Sequence, residues 1–165
     1  MQQYSTPSTV SIEDKATTVD SILRYRAERP TMPMFKKRSD GHWITVTAKQ
    51  FVDEVDAVAK GLIASGIAPG DRVAILSSTR YEWTVLDYAI WRAAAVTVAI
   101  YETSAPDQVE WILQDSAASM LVVEDQSHRT HHAEVIDNAS ALRETLVITD
   151  GAIAALTERG ASIGD

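Results

Sequence analysis

The run Arg72-Val73-Ala74-Ile75-Leu76-Ser77-Ser78-Thr79-Arg80 opens with a nearly continuous apolar stretch and closes on polar turn residues. A similar apolar run, Val96-Thr97-Val98-Ala99-Ile100-Tyr101, follows after a helix-patterned segment from Tyr81 to Ala93. The alternation then continues with a helix over Pro106 to Ser116, a strand Met120-Leu121-Val122-Val123, a weaker helix over His131 to Arg143 and a strand Thr145-Leu146-Val147-Ile148-Thr149. A last helix begins at Ala152 and runs to Arg159. Strands that are apolar on both faces cannot have one face in water, so helices must cover both sides of a parallel sheet. Their centres recur about every two dozen residues, which leaves one helix-length crossover in each gap.

Upstream, the pattern differs. Val19, Ile22, Leu23 and Ala27 share a helical face within Val19 to Arg29, with Thr18 as the expected cap and Pro30 and Pro33 as the stop. Met34 to Arg38 and His42 to Val46 flank the turn signal Ser39-Asp40-Gly41 and predict a hairpin. Thr47 with Gln50 three residues later forms a capping-box pattern ahead of the apolar stripe Phe51, Val55, Val58 and Leu62. Gly66 stands where a left-handed cap would end that helix, and Pro69-Gly70 prevents its resumption. Residues 1–17 read as a flexible leader and 18–165 as the folded part. The expected fold is α/β: a layered, mostly parallel sheet with helices on both faces, preceded by an N-terminal helix and β-hairpin.

The chain has 165 residues, a formal net charge of −8 and no cysteine. Disulfides, thiolate metal sites and thiol nucleophiles are thereby excluded. The acidic balance argues against nucleic acid as a partner, because little positive field is left to replace phosphate counterions. Lys36-Lys37-Arg38 is the one basic cluster, read as a solvated hairpin edge with a phosphate-contacting patch as the alternative. No apolar run approaches the roughly 18 residues of a membrane span, and the polar N-terminus does not resemble a secretory signal, so a cytoplasmic location is expected.

Ligands of open α/β sheets bind beyond the carboxyl ends of the strands, where the strand order reverses. There the sequence supplies Ser77 to Arg80, Tyr101 to Ser104, Glu124 to Ser127 and Thr149 to Gly151. None is a phosphate cradle: the seven glycines form neither a dinucleotide nor a P-loop pattern, and no lysine follows Lys60. Ser77 to Arg80 is an anion-binding candidate beside a helix N-terminus, against a reading as helix cap plus surface arginine. Glu124-Asp125 offers acids for ribose hydroxyls, against a reading as a solvated turn. His128, His131 and His132, with Glu124 and Glu134 nearby, suggest a metal site, against a reading as solvated helix residues. Trp43, Trp83, Trp91 and Trp111 read mainly as core or subunit-contact residues, with an acyl-pocket lining as the alternative. From the residues alone no catalytic, cofactor-binding or metal site assembles.

The order of motifs nevertheless resembles a family. His42-Trp43-Ile44-Thr45-Val46-Thr47, Gly61-Leu62-Ile63-Ala64-Ser65-Gly66-Ile67 and Pro69-Gly70-Asp71-Arg72-Val73-Ala74-Ile75-Leu76 resemble the N-terminal segment of acyl-CoA synthetases in the adenylate-forming superfamily. Tyr81-Glu82-Trp83, the segment Leu86 to Ala95, Ile100-Tyr101-Glu102-Thr103 and Trp111 to Ser116 extend the likeness, which covers roughly residues 19–149. Tyr101 to Ser104 and the helix Gln108 to Ser116 are similar to the long-chain fatty-acid–CoA ligase branch. The resemblance implies ATP, magnesium and coenzyme A as cofactors of a complete ligase, a fatty acid as its substrate, and the remainder of the ligase chain as partner, with a homodimer as a further option. The family's phosphate loop, adenine and ribose motifs and catalytic lysine have no match here, so no site residue carries over. The chain alone is expected to be inactive; the alternative is a free-standing protein-interaction module derived from such an enzyme. The family usually carries glycine at the position of Ala94 and proline at that of Ala99. Alanine is costly at position 94 if the backbone there is left-handed.

Overall fold

The computed structural model describes residues 6, 16–39 and 41–164. The expected leader, apart from Thr6, Ala16 and Thr17, and the turn residue Asp40 therefore lie outside the described residues. Helix α1 spans Thr18–Glu28. Its cap is Thr17, not Thr18: the Thr17 hydroxyl accepts from the Asp20 amide at 3.2 Å while the Asp20 carboxylate accepts from the Thr17 amide at 2.7 Å. The three-residue spacing to Asp20 decides between the two threonines, because only Thr17 can complete this reciprocal pair. Strands β1 (Pro33–Ser39) and β2 (His42–Thr47) form the expected antiparallel hairpin.

Helix α2 (Ala48–Ala64) starts at the Thr47–Gln50 capping box and ends at Gly66, whose φ is +82°. The Gly66 amide bonds to Ile63 O and the Ile67 amide to Leu62 O, which satisfies the final carbonyls in a Schellman arrangement. Strand β3 (Arg72–Leu76), helix α3 (Tyr81–Arg92), strand β4 (Val96–Ile100), helix α4 (Pro106–Ser116) and strand β5 (Met120–Val123) follow close to their expected bounds.

One segment departs from expectation. Instead of a helix over His131 to Arg143, two six-residue helices occur, α5 (Gln126–His131) and α6 (Ala133–Asn138). Asp125 caps α5 by accepting from the His128 amide at 3.0 Å, which starts the helix earlier, and the chain kinks at His132. Strand β6 spans Glu144–Val147, and strand-like bonds continue beyond it, from the Ile148 amide to Val123 O and from the Thr149 amide to Glu124 O. Helix α7 (Ala152–Gly160) ends the described chain's regular structure.

The four-stranded parallel sheet has the order β4-β3-β5-β6. Side chains alternate across it. Val73, Ile75, Met120 and Val122 join α1, α2, α3 and α7 in one core, while Ala74, Leu76, Leu121 and Val123 join α4 and α6 in the other. Helices α2 and α7 touch through glycine: a Cβ on Gly61 would overlap the Leu156 carbonyl, and one on Gly160 would lie 2.7 Å from Ala57 O. The strand order reverses between β3 and β5, because β4 lies on one side of β3 and the later strands on the other.

Candidate functional site at the reversal of the sheet

The reversal brings together two segments 44 or more residues apart in sequence, the loop after β3 and the first residue after β5. Each strand ends where its apolar run stops, so Ser77 and Glu124 emerge side by side from the paired ends of Leu76 and Val123. Glu124 Oε2 accepts three bonds, from the Ser78 amide at 2.8 Å, the Ser78 hydroxyl at 2.7 Å and the Ser77 hydroxyl at 3.2 Å. Its other oxygen lies 3.5 Å from an Arg80 nitrogen. The Ser78 hydroxyl bond, seconded by the Ser78 amide, holds the Glu124 carboxyl below the usual glutamate range. The loop does bind an anion, and the anion is the protein's own carboxylate.

Arg80 occupies the N-cap position of α3 without a side-chain cap bond. Its Nε instead donates to Glu82 at 2.7 Å, so it bridges two carboxylates. Burial pushes the Glu82 carboxyl upward, but the Arg80 bond, a backbone hydrogen bond and the charges of Arg80 and Lys37 together hold the group below its ordinary value. Next to this bridge the Tyr81 hydroxyl donates to Glu54 on α2 at 2.5 Å. Lys37 on β1 sits 4.3 Å above the Tyr81 ring and 3.9 Å from the same Glu54 oxygen. Burial, with the Glu54 bond, raises the tyrosine hydroxyl well above its usual range. Sequence reading missed this cluster because its members come from three separate elements, and only the apolar pattern around each was informative.

The acid and histidine candidates separate in space. Glu124 turns toward the serines, whereas Asp125 accepts from the His128 amide and lies 2.8 Å from its Nδ1. Asp125 is the cap of α5, and the His128 amide and ring hold it well below the aspartate range. His132 is not solvated: it is 1% exposed, and its Nδ1 has no hydrogen-bond partner. Its burial, together with His131 and His128, favours the neutral ring and lowers its pKa. The rings of His131 and His132 meet edge to face at 4.7 Å. Among the described residues no group of three histidines or carboxylates is placed to hold a metal ion.

Of the four tryptophans expected in the core or at a subunit contact, one lies against the core. Trp43 is 67% and Trp111 66% exposed, Trp91 is partly exposed, and only Trp83 packs against the core. Tyr101, Trp111, Ile112 and Gln108 line a hollow beside β4, which is an edge strand carrying exposed Val96. Ala94 has φ +57°, so the left-handed backbone that favours glycine is present. Ala99 is exposed in the edge strand, a place where a sheet tolerates proline.

Residues 23–162 match the model for AMP-binding enzymes, and the chain belongs to that family. The long-chain-fatty-acid–CoA ligase FadD15 of Mycobacterium tuberculosis is 40% identical over 166 aligned positions, covering 99% of this chain and 28% of that protein. The chain thus spans less than a third of that relative. Among solved structures, the N-terminal domain of FACL13 from Mycobacterium tuberculosis aligns with a TM-score of 0.71 at 25% identity, over 90% of this chain and 37% of that one. The long-chain-fatty-acid–CoA ligase FadD1 from Archaeoglobus fulgidus shares the fold with a TM-score of 0.82 at 18% identity, over 99% of this chain and 34% of that one. Among the described residues no helix is long and apolar enough to cross a membrane.

Proposed function

We propose that residues 18–165 serve as the N-terminal part of the large domain of a long-chain fatty-acid–CoA ligase, acting as scaffold rather than as catalyst. The whole enzyme would join a fatty acid to coenzyme A through an acyl-adenylate, with ATP and magnesium, in the cytoplasm. The observation that carries this reading is the 40% identity to FadD15 along 99% of the chain but only 28% of that ligase. The exposed Tyr101 and Trp111 beside an open strand edge support it, since such a surface suits packing against further polypeptide.

The residues present do not fit the nucleotide or its metal. The anion cradle at Ser77 and Ser78 is filled by Glu124, and among the described residues no carboxylate or histidine cluster suits magnesium. The chain alone is therefore expected to be inactive in acyl activation. The test is a chimera in which this chain replaces the matched part of Mycobacterium tuberculosis FadD15. Acyl-CoA synthesis by the chimera, with none by the chain alone, is expected. A folded chimera without synthesis, or ATP–pyrophosphate exchange by the isolated chain, would refute the reading.

A further inference from the structure

Strand β4 forms one edge of the parallel sheet, and nothing in its sequence closes that edge. Sheets blunt exposed edges with charges, proline or bulges, because open amides and carbonyls pair with other strands. At the opposite edge β6 carries Glu144, and in the hairpin β1 carries Pro33 and three cations. Residues 93–101 carry neither charge nor proline, and β4 runs in unbroken register with β3. One bond fixes the direction of its backbone: the Val96 amide donates to Asp71 O at 2.8 Å, on the β3 side. Alternation then turns the Val98 and Ile100 amides to β3 as well, and those of Thr97 and Ala99 outward. Val96, Tyr101 and Trp111 are exposed along this edge, so it is apolar as well as open.

The outward groups are complementary to themselves. A second β4 laid antiparallel, with a two-fold axis at Val98, sets Thr97 of one copy opposite Ala99 of the other. Both residues point outward, so each such pair exchanges two backbone bonds, and the symmetric pair repeats them. Val98 then meets its own counterpart, and the exposed Val96 comes beside the second copy's Ile100, on the side covered by α4. The same register carries the exposed acid Glu102 toward the second copy's Ala94. Arg92 lies two residues from it, partly exposed although its Nε holds Asp56, so unlike charges approach on either side of the axis. Such an isologous contact closes on itself, which stops the open edge from growing further. We infer that β4 pairs with β4 of a second copy, antiparallel about Val98, and joins the two four-stranded sheets into one. The pairing does not depend on the ligase reading.

Sedimentation equilibrium of the full chain tests the inference, and a dimer that forms as concentration rises is expected. Ala99→Pro removes one outward donor from each copy and should weaken dimerisation about thirtyfold, the usual net worth of two bonds. The monomer should melt as the parent does, because the ladder to β3 does not use that amide. Val96→Glu puts a charge on the exposed edge and should weaken dimerisation about tenfold. The chain has no cysteine, so Val98→Cys supplies a single thiol. Its counterpart would lie about 4.5 Å away between Cα atoms, within disulfide reach, so oxidation should link the copies. Ala99→Cys, whose counterpart is displaced by two residues along the strand, should stay unlinked. A monomer at every concentration, or a dimer that ignores both Ala99→Pro and Val96→Glu, would overturn the inference. So would linking of Ala99→Cys in place of Val98→Cys. The FadD15 chimera keeps the two proposals apart. Failure to make acyl-CoA while Val98→Cys still links the chain refutes only the ligase reading, and synthesis by a chimera that stays monomeric refutes only the pairing.

Discussion

The layer of α1, α2, α3 and α7 meets the sheet through helices of 9 to 17 residues, whereas that of α4, α5 and α6 uses helices of 6 to 11. The first layer has a second tier of contact, glycine against backbone between α7 and α2, which brings two helices closer than side chains would allow. The second encloses a polar ring, His132, whose Nδ1 has no partner. One layer is specified by the absence of side chains and the other carries a buried group whose charge state matters. They should therefore fail under different insults, substitution in the first and acid in the second.

Gly61→Ala is the severest break of the first layer. Its methyl would overlap the Leu156 carbonyl, so relief requires moving a helix rather than turning a side chain. A loss of about 3 kcal/mol or more is expected in urea unfolding. A variant as stable as the parent would mean that α7 is not held against α2 in this way.

Glu124 sits where the two layers share one end of the sheet. Glu124→Gln keeps the size but weakens three bonds from Ser77 and Ser78 and the attraction to Arg80. A loss of about 1–2 kcal/mol near neutral pH is expected, since bonds to a charged group exceed neutral ones. Because the folded carboxyl is held below its ordinary value of 4.5, this stabilisation is present above that pH and vanishes as pH falls through the lower folded value. Parent and variant should converge in acid; a constant gap would assign the loss to shape instead of charge.

Acid should reach the second layer at a higher pH. The folded His132 favours its neutral form, with a pKa below the ordinary 6.5. Stability is then full above about that value and declines as pH falls toward the folded one, because the unfolded ring takes up protons first. Melting of the parent should drop between neutral pH and the carboxylate range, and His132→Leu should flatten this decline while leaving the lower transition. An unchanged slope would remove His132 as its source.

Sequence reading recovered elements where one residue type dictates one geometry. The capping pair Thr47 and Gln50 and the left-handed Gly66 located α2 at both ends, and continuous apolar runs located β3 and β5. It also named both halves of the crevice, Ser77 to Arg80 and Glu124, since each follows a strand. Their mutual bonding was not legible, because strand order is a property of the whole sheet. The split of α5 from α6 was missed for a related reason: Asp125 was weighed as a ligand, while its role as a carboxylate cap depends on where the backbone amide of His128 points.

The smallest effect compares two alanines, one at the end of a helix in each layer. Ala94 after α3 has φ +57° and Ala117 after α4 has φ +48°. At Ala94 the bonds Ala94 N–H to Trp91 O and Ala95 N–H to Ile90 O repeat those that Gly66 and Ile67 make after α2. The motif is therefore the same with and without glycine, and the difference is the Cβ alone. Left-handed backbone costs an alanine about 1–2 kcal/mol, and glycine returns part of that as unfolded-state entropy. Ala94→Gly should thus stabilise the chain by about 0.5–1 kcal/mol, with Gly66→Ala destabilising it by a similar amount. Ala117→Gly should gain about as much as Ala94→Gly, since the strain is local to the backbone. Unequal gains in thermal melting would show that the layer around each alanine, rather than its φ, sets the cost.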